Sequence, residues 1–196
     1  MEFDELLRRR CSTRRFKSEQ LSGEQIEKLI EAANRAPVGS NLYRDVHITV
    51  VQDQKKLLTM CEASWKRFSG YQKIEDIAGD VADVSPTTES RNFFYGAPTV
   101  FFVSHRKQDL QPGIEWANVT AIVSHMQLEA VNLGLGSVYI WGALESMRMF
   151  PELDHTDLLE LPEDFVPLLG LAVGYPEQAL TEREIKHNRI TVNCVK

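Results

Sequence analysis

"GIEWANVTAIVSHMQLEAVNLGLGSVYIWG", residues 113–142, is the stretch on which the fold turns. Ala117, Ala121, Val123, Leu128 and Val131 put small or apolar groups on several sides of one long helix, which predicts a central position rather than a surface one. Gly134 is the expected stop, because glycine takes the left-handed capping conformation without a Cβ penalty. "SVYIWG", residues 137–142, then predicts a short extended piece.

Outward from this helix the chain supplies strands and further helices. "VHITVV" (46–51), "APTVFFVSH" (97–105) and "VPLLGLAVGYP" (166–176) are β-branched or apolar runs bounded by turn formers and predict buried strands. Phe3, Leu6, Leu7 and Arg10 share one side of a short N-terminal helix whose acidic residues come first and whose basic ones come last, as its dipole favours. In "LSGEQIEKLIEAANRAP" (21–37), Ser22 and Gln25 form a capping box, Leu21 and Ile26 can staple it, and Pro37 closes the segment. "DQKKLLTMCEASWKRF" (53–68) starts at an Asp cap, and "HTDLLELP" (155–162) predicts a short helix. Residues 70–92 carry turn formers with little periodicity and predict a variable insert or surface flap. The tail "NRITVNCV" (188–195) has strand composition and no evident partner, which invites pairing with another chain. The order predicts one mixed α/β domain over residues 1–196.

The chain has 196 residues, 43% of them hydrophobic, which is enough for one substantial core. A net charge of -6 argues against a broad nucleic-acid or anionic-membrane surface. Cys11, Cys61 and Cys194 are odd in number and widely spaced, which suggests neither a disulfide framework nor a zinc site and fits a reducing cytoplasm. No signal peptide or membrane span is read in the sequence. The histidines at 47, 105, 125, 155 and 187 lack metal-ligand spacing, so no metal is expected. Nucleophile-elbow, P-loop and dinucleotide-turn glycine patterns are likewise missing.

Three segments hold candidate chemistry. "RRRCSTRRF" (8–16) concentrates five of thirteen arginines, and if residues 10–14 are extended then Arg10, Ser12 and Arg14 point the same way, as a phosphate cradle would need. The alternative is a solvated helix end paired with acidic neighbours, which suits Arg8, Arg9 and Arg15. "APVGSN" (36–41) is either an ordinary helix-ending loop or one that presents backbone amides and Asn41 to a flat polar ring. In "GLGSVYIWG" (134–142), Gly142 admits close approach of a ligand to the backbone, and Tyr139 or Trp141 offers an aromatic cover; core packing is the competing reading.

Together, in this order, the three segments resemble the nitroreductase family of FMN-dependent oxidoreductases from about Leu6 to Ile190. "FYGAPTVFFV" and "LLGLAVGYPEQ", followed by a basic residue in "KHNR", extend the likeness. The resemblance implies a central, mainly antiparallel sheet flanked by helices, with the C-terminal strand exchanged to a partner subunit in a homodimer that binds FMN at its interface. It implies that Arg10, the Cys11 backbone and Ser12 hold the FMN phosphate, that Arg14 reaches the ribityl chain and the N1/O2 edge of the flavin, and that Arg189 closes on the phosphate, with Lys186 and His187 as further helpers. Pro37, Val38, Gly39 and Asn41 would contact the flavin from the partner subunit. Ile140, Trp141 and Gly142 would lie beside the ring, with the Gly142 backbone near N5.

The implied activity is ping-pong hydride transfer from NAD(P)H to a nitroaromatic, quinone or similar planar acceptor, carried by the flavin with no catalytic side chain. The same fold also suits dehalogenating or flavin-fragmenting chemistry, or a flavin-binding redox module without turnover. The chain departs from the family pattern at Val38, where serine is usual, at "LYRD" (42–45), where Gln-Pro-Trp usually follows the asparagine, and at Trp141, where smaller or acidic residues often stand.

Overall fold

A computed structural model describes residues 1–68, 92–149, 154–184 and 189–195. Among the described residues the α-helices are α1 (Phe3–Arg9), α2 (Gly23–Asn34), α3 (Gln54–Phe68), α4 (Ile114–Asn132) and α5 (Gly142–Met149). Four strands, β1 (Val46–Val51), β2 (Thr99–Arg106), β3 (Gly136–Ile140) and β4 (Phe165–Gly174), form one sheet in the order β1-β2-β4-β3. Every neighbouring pair is antiparallel.

Alternation along the strands divides the core into two layers. Phe101, Val103, Leu169, Leu171 and Val173 face α2 and α4, packing with Leu29, Ala33, Val119, Ile122, Val123 and Met126. Their neighbours Val100, Phe102 and Ala172 face the other way and pack with Val138, Ile140, Leu57, Met60, Leu144 and Met147, so α3 and α5 cover the opposite face. Both faces being covered, β2 and β4 are nearly continuous apolar runs rather than alternating ones.

Local signals set the helix ends. The Ser22 hydroxyl accepts from the Gln25 amide and the Gln25 side chain accepts from the Ser22 amide, completing the expected capping box. The Asp53 carboxylate accepts from the Lys55 and Lys56 amides at the start of α3. At the end of α4 the Gly134 amide donates to the Val131 carbonyl and the Leu135 amide to Ala130, with Gly134 at φ 73°, a left-handed turn that reverses the chain into β3.

Helix α5 lies directly after Trp141, where the sequence reading left an unassigned segment; the apolar face Ala143–Leu144–Met147 is too short to declare itself. The short helix expected within residues 155–162 is a single 3-10 turn, Thr156–Leu159. The tail, residues 189–195, forms no strand with the described chain and leaves Ile190, Val192 and Val195 exposed. The predicted flap at 70–92, except Asn92, lies outside the described residues, as do Lys186 and His187.

Candidate functional site

Between α1 and α2 the chain runs extended across one end of the sheet. Arg10 leaves α1 with β-region angles, Ser12 bridges Ser137, and Phe16 bridges Pro176. The Thr13 amide donates to the Ser137 carbonyl at 2.9 Å and the Lys17 amide to the Tyr175 carbonyl at 2.8 Å. This pairing buries Thr13 and Phe16 and leaves Ser12 and Arg14 exposed on the other side. The expected alternation holds over Ser12–Thr13–Arg14 and breaks at Arg15, which is exposed like Arg14.

Two glycines permit the crossing. A Cβ on Gly136 would lie 2.5 Å from Thr13 Oγ1, and one on Gly174 would lie 2.6 Å from Pro98 Cδ and 3.1 Å from the Phe16 ring. A side chain at Gly136 would displace Thr13 from the sheet, and one at Gly174 would press on Pro98 first and on Phe16 second.

Outside this segment, residues 176–183 return alongside it. The Glu177 amide donates to the Arg15 carbonyl and the Arg183 amide to the Arg8 carbonyl. An open cleft of about 350 Å³ lies between the two, and its lining includes Ser12, Arg14, Arg15, Thr181 and Arg183 and no carboxylate. None of these three arginines pairs with an acidic group among the described residues, and the Arg14 guanidinium sits 5.8 Å from the centroid of the Tyr95 ring. Three unneutralised guanidiniums, two hydroxyls and no acid form a donor set suited to a phosphate.

The sequence reading assigned Arg15 to the solvated group and passed over Arg183 and Thr181. The structure places all three at the cleft. Arg15 reads as one more solvated arginine because the residues that face it are far off in sequence, and Arg183 is hidden for the same reason: the 176–183 return pairs with residues 8–15 across more than 150 positions. Cys11, Ser12 and Arg14 line the cleft, whereas Arg10 lies outside its lining.

Neither of the other two candidate segments lines this cleft within one chain, although residues 134–142 pair through Ser137 with the segment that does. Pro37 precedes a tight loop in which Gly39–Asn41 forms a 3-10 turn, Ser40 and Asn41 have φ of 54° and 58°, and Val38 is buried in the α2/α4 layer. Ile140 ends β3 in the α3/α5 layer, Trp141 is 52% exposed, and Gly142 opens α5. Arg189 is exposed in the tail. Among the described residues no cluster of His, Cys, Asp and Glu has the arrangement of a metal site, and no helix is long and apolar enough to cross a membrane.

An antiparallel four-stranded sheet between two helical layers, with an open basic cleft where the N-terminal segment crosses the β3/β4 end, defines an α+β protein. The chain belongs to the nitroreductase family, whose model matches residues 7–175. It is 26% identical over 182 residues to an NADPH-dependent oxidoreductase of Staphylococcus epidermidis, covering 88% of this chain and 64% of that protein. An FMN reductase [NAD(P)H] of Bacillus subtilis is 28% identical over 193 residues, covering 94% of this chain and 68% of that one. A nitroreductase of Bacteroides fragilis solved with bound FMN superposes with a TM-score of 0.76 at 25% identity, over 98% of this chain and 99% of that chain. The chain spans less than two thirds of the length of the staphylococcal relative.

Proposed function

We propose that the protein is an FMN-dependent oxidoreductase, one domain over residues 1–196, that takes hydride from NAD(P)H and delivers two electrons to a nitroaromatic, quinone or similar planar acceptor by a ping-pong route. The observation that carries this is the cleft, with Arg14, Arg15 and Arg183 unneutralised by any described carboxylate and the hydroxyls of Ser12 and Thr181 beside them, on a nitroreductase-family fold.

FMN, when bound, supplies the hydride-accepting and electron-donating chemistry that no side chain of the cleft has. Arg14, Arg15 and Arg183 would hold its phosphate, with Ser12 and the Cys11 backbone as neutral donors and Arg10 and Arg189 as further positive charges. Arg14, the arginine that also meets the Tyr95 ring, would keep a positive charge beside the flavin ring system and favour electron uptake. Ile140, Trp141 and Gly142 would border the ring, and Trp141 is exposed enough to cover a planar molecule stacked there.

Pro37, Val38, Gly39 and Asn41 lie outside the cleft of their own chain, so their assignment to the flavin requires a second subunit. A homodimer is supported by two unpartnered apolar features: Phe3 and Leu7 on α1, and the tail with Ile190, Val192 and Val195, which would add to the partner's sheet.

The test is anaerobic titration of the purified protein with NADPH and NADH. The expected result is a yellow protein whose flavin absorbance bleaches with one or both and returns on adding a quinone or nitroaromatic. Bound flavin that neither nucleotide bleaches would overturn the hydride-transfer assignment.

A further inference from the structure

Loop 37–41 is tied to the interior by a chain of hydrogen bonds whose direction is fixed at every link. His105, on β2 and 1% exposed, places Nδ1 2.6 Å from the carbonyl oxygen of Arg106. A carbonyl only accepts, so Nδ1 carries the proton. The Gly39 amide only donates, so Asn118 turns Oδ1 toward it and its NH₂ group toward the histidine, where Nε2, 3.1 Å from Nδ2, accepts. Asn118, on α4 and 2% exposed, is left with Oδ1 aimed at the loop, where it accepts from the Gly39 amide at 2.8 Å.

The loop needs such an anchor. Ser40 and Asn41 hold consecutive left-handed φ values of 54° and 58°, a conformation costly for residues with a Cβ. Gly39 lies so close to α4 that a Cβ would sit 2.9 Å from Ile114 Cδ1 and 3.3 Å from Asn118 Oδ1. Weaker ties surround the central one: the Ser40 hydroxyl donates to Gln111 at 2.9 Å and the Tyr43 hydroxyl to the Ala36 carbonyl at 3.0 Å, both nearer solvent.

Two buried polar side chains inside an apolar layer are costly unless satisfied, and their bonds lead to a loop rather than to the sheet ladder. We propose that Asn118 is a positioning residue for cofactor binding, with its amide hydrogen-bonded to His105, and that it holds the Gly39 amide so that loop 37–41 keeps the shape that receives FMN. This rests on the assignment of that loop to the flavin made above. His105 and Asn118 touch neither the cleft nor the loop's outer surface; they act through Gly39.

The experiment uses the full chain, stripped of flavin and titrated back with FMN by fluorescence quenching, with the exchange rate of the Gly39 amide followed by NMR in the same samples. Asn118→Leu, which keeps side-chain volume and removes both hydrogen bonds, is expected to bind FMN about tenfold more weakly and to exchange the Gly39 amide faster before any FMN is added. Asn118→Asp, which restores an acceptor toward Gly39, is expected to recover most of both.

A folded Asn118→Leu protein with wild-type FMN affinity, or with unchanged Gly39 exchange, would overturn the proposal. If Asn118→Leu does not fold, Asn118→Ser, too short to reach both partners, is read by the same two measurements against the same outcomes. Failure of the wild-type chain to bind FMN at all would instead overturn the flavin reading, and it is visible before any variant is made.

Discussion

Two pairs of arginines in one short run meet opposite fates. Arg8 and Arg9 lie on α1, where Asp4 and Glu5 come round one turn earlier, and both are neutralised, at 2.6 and 2.9 Å. Arg14 and Arg15 lie just beyond, on an extended segment whose facing residues are those of the 176–183 return, and no described carboxylate reaches either. The guanidinium chemistry is the same in both pairs. A helix carries its own i,i+4 partner, whereas an extended segment has only the partner that another part of the chain presents, so the same residue is a surface ion pair in one place and an available anion ligand in the next.

The largest expected effect would break that contrast from the cleft side. Arg14→Ala combined with Arg183→Ala should weaken FMN binding at least about 100-fold, since charge-assisted hydrogen bonds contribute on the order of 1.5–3 kcal/mol each. A yellow double variant with wild-type affinity would mean that the cleft is not the phosphate site. Next comes the scaffold that keeps the second pair extended: Gly136→Val should destabilise the fold by about 1–3 kcal/mol in denaturant unfolding and weaken FMN binding as well, because the new side chain occupies the place of Thr13.

Smaller effects sharpen the helical side. Asp4→Ala with Glu5→Ala should cost only about 0.3–0.5 kcal/mol per pair, vanish in high salt, and leave FMN affinity unchanged. A gain in affinity would show that Arg8 and Arg9 are held back from the cleft by their pairing.

Smallest is the exposed pair Lys56–Glu160, 2.7 Å apart. The hydrogen bond from Lys56 holds the Glu160 carboxyl below its usual range, and the same bond holds the Lys56 ammonium above its own. The stability from Glu160 is therefore present above its unfolded pKa and lost as pH falls through the lowered folded value. That from Lys56 is present below its unfolded pKa and lost as pH rises through the raised folded value. Glu160→Gln should shift the melting midpoint at neutral pH least of these variants, and by nothing measurable in about 1 M salt.

Much of this architecture was legible in the chain. The capping box at Ser22, the Asp53 cap and the Gly134 turn are local devices, complete within a few residues, and each appears where the sequence places it. "VHITVV" spans β1 to the residue. Helix α5 escaped because one turn and a half of apolar residues does not outweigh its turn-forming flanks, and Arg183 escaped because nothing near it marks it as different from any surface arginine.

The His105–Asn118–Gly39 connection was equally invisible. Asn118 sits in an apolar helix with no local sign of its partners, and His105 reads as one more residue at a strand end. Their meeting depends on the packing of α4 over β2, which is a property of two elements and not of either.

By itself the sequence determined where helices start and stop, which runs become strands, and that positive charge gathers near residue 10, because these follow from neighbours within a turn or a pleat. Only the tertiary structure decided which arginines remain without a counter-charge and which amide holds the strained loop. Both depend on what a distant segment brings within 3 or 4 Å, and the short-range periodicities of the chain carry no record of that distance.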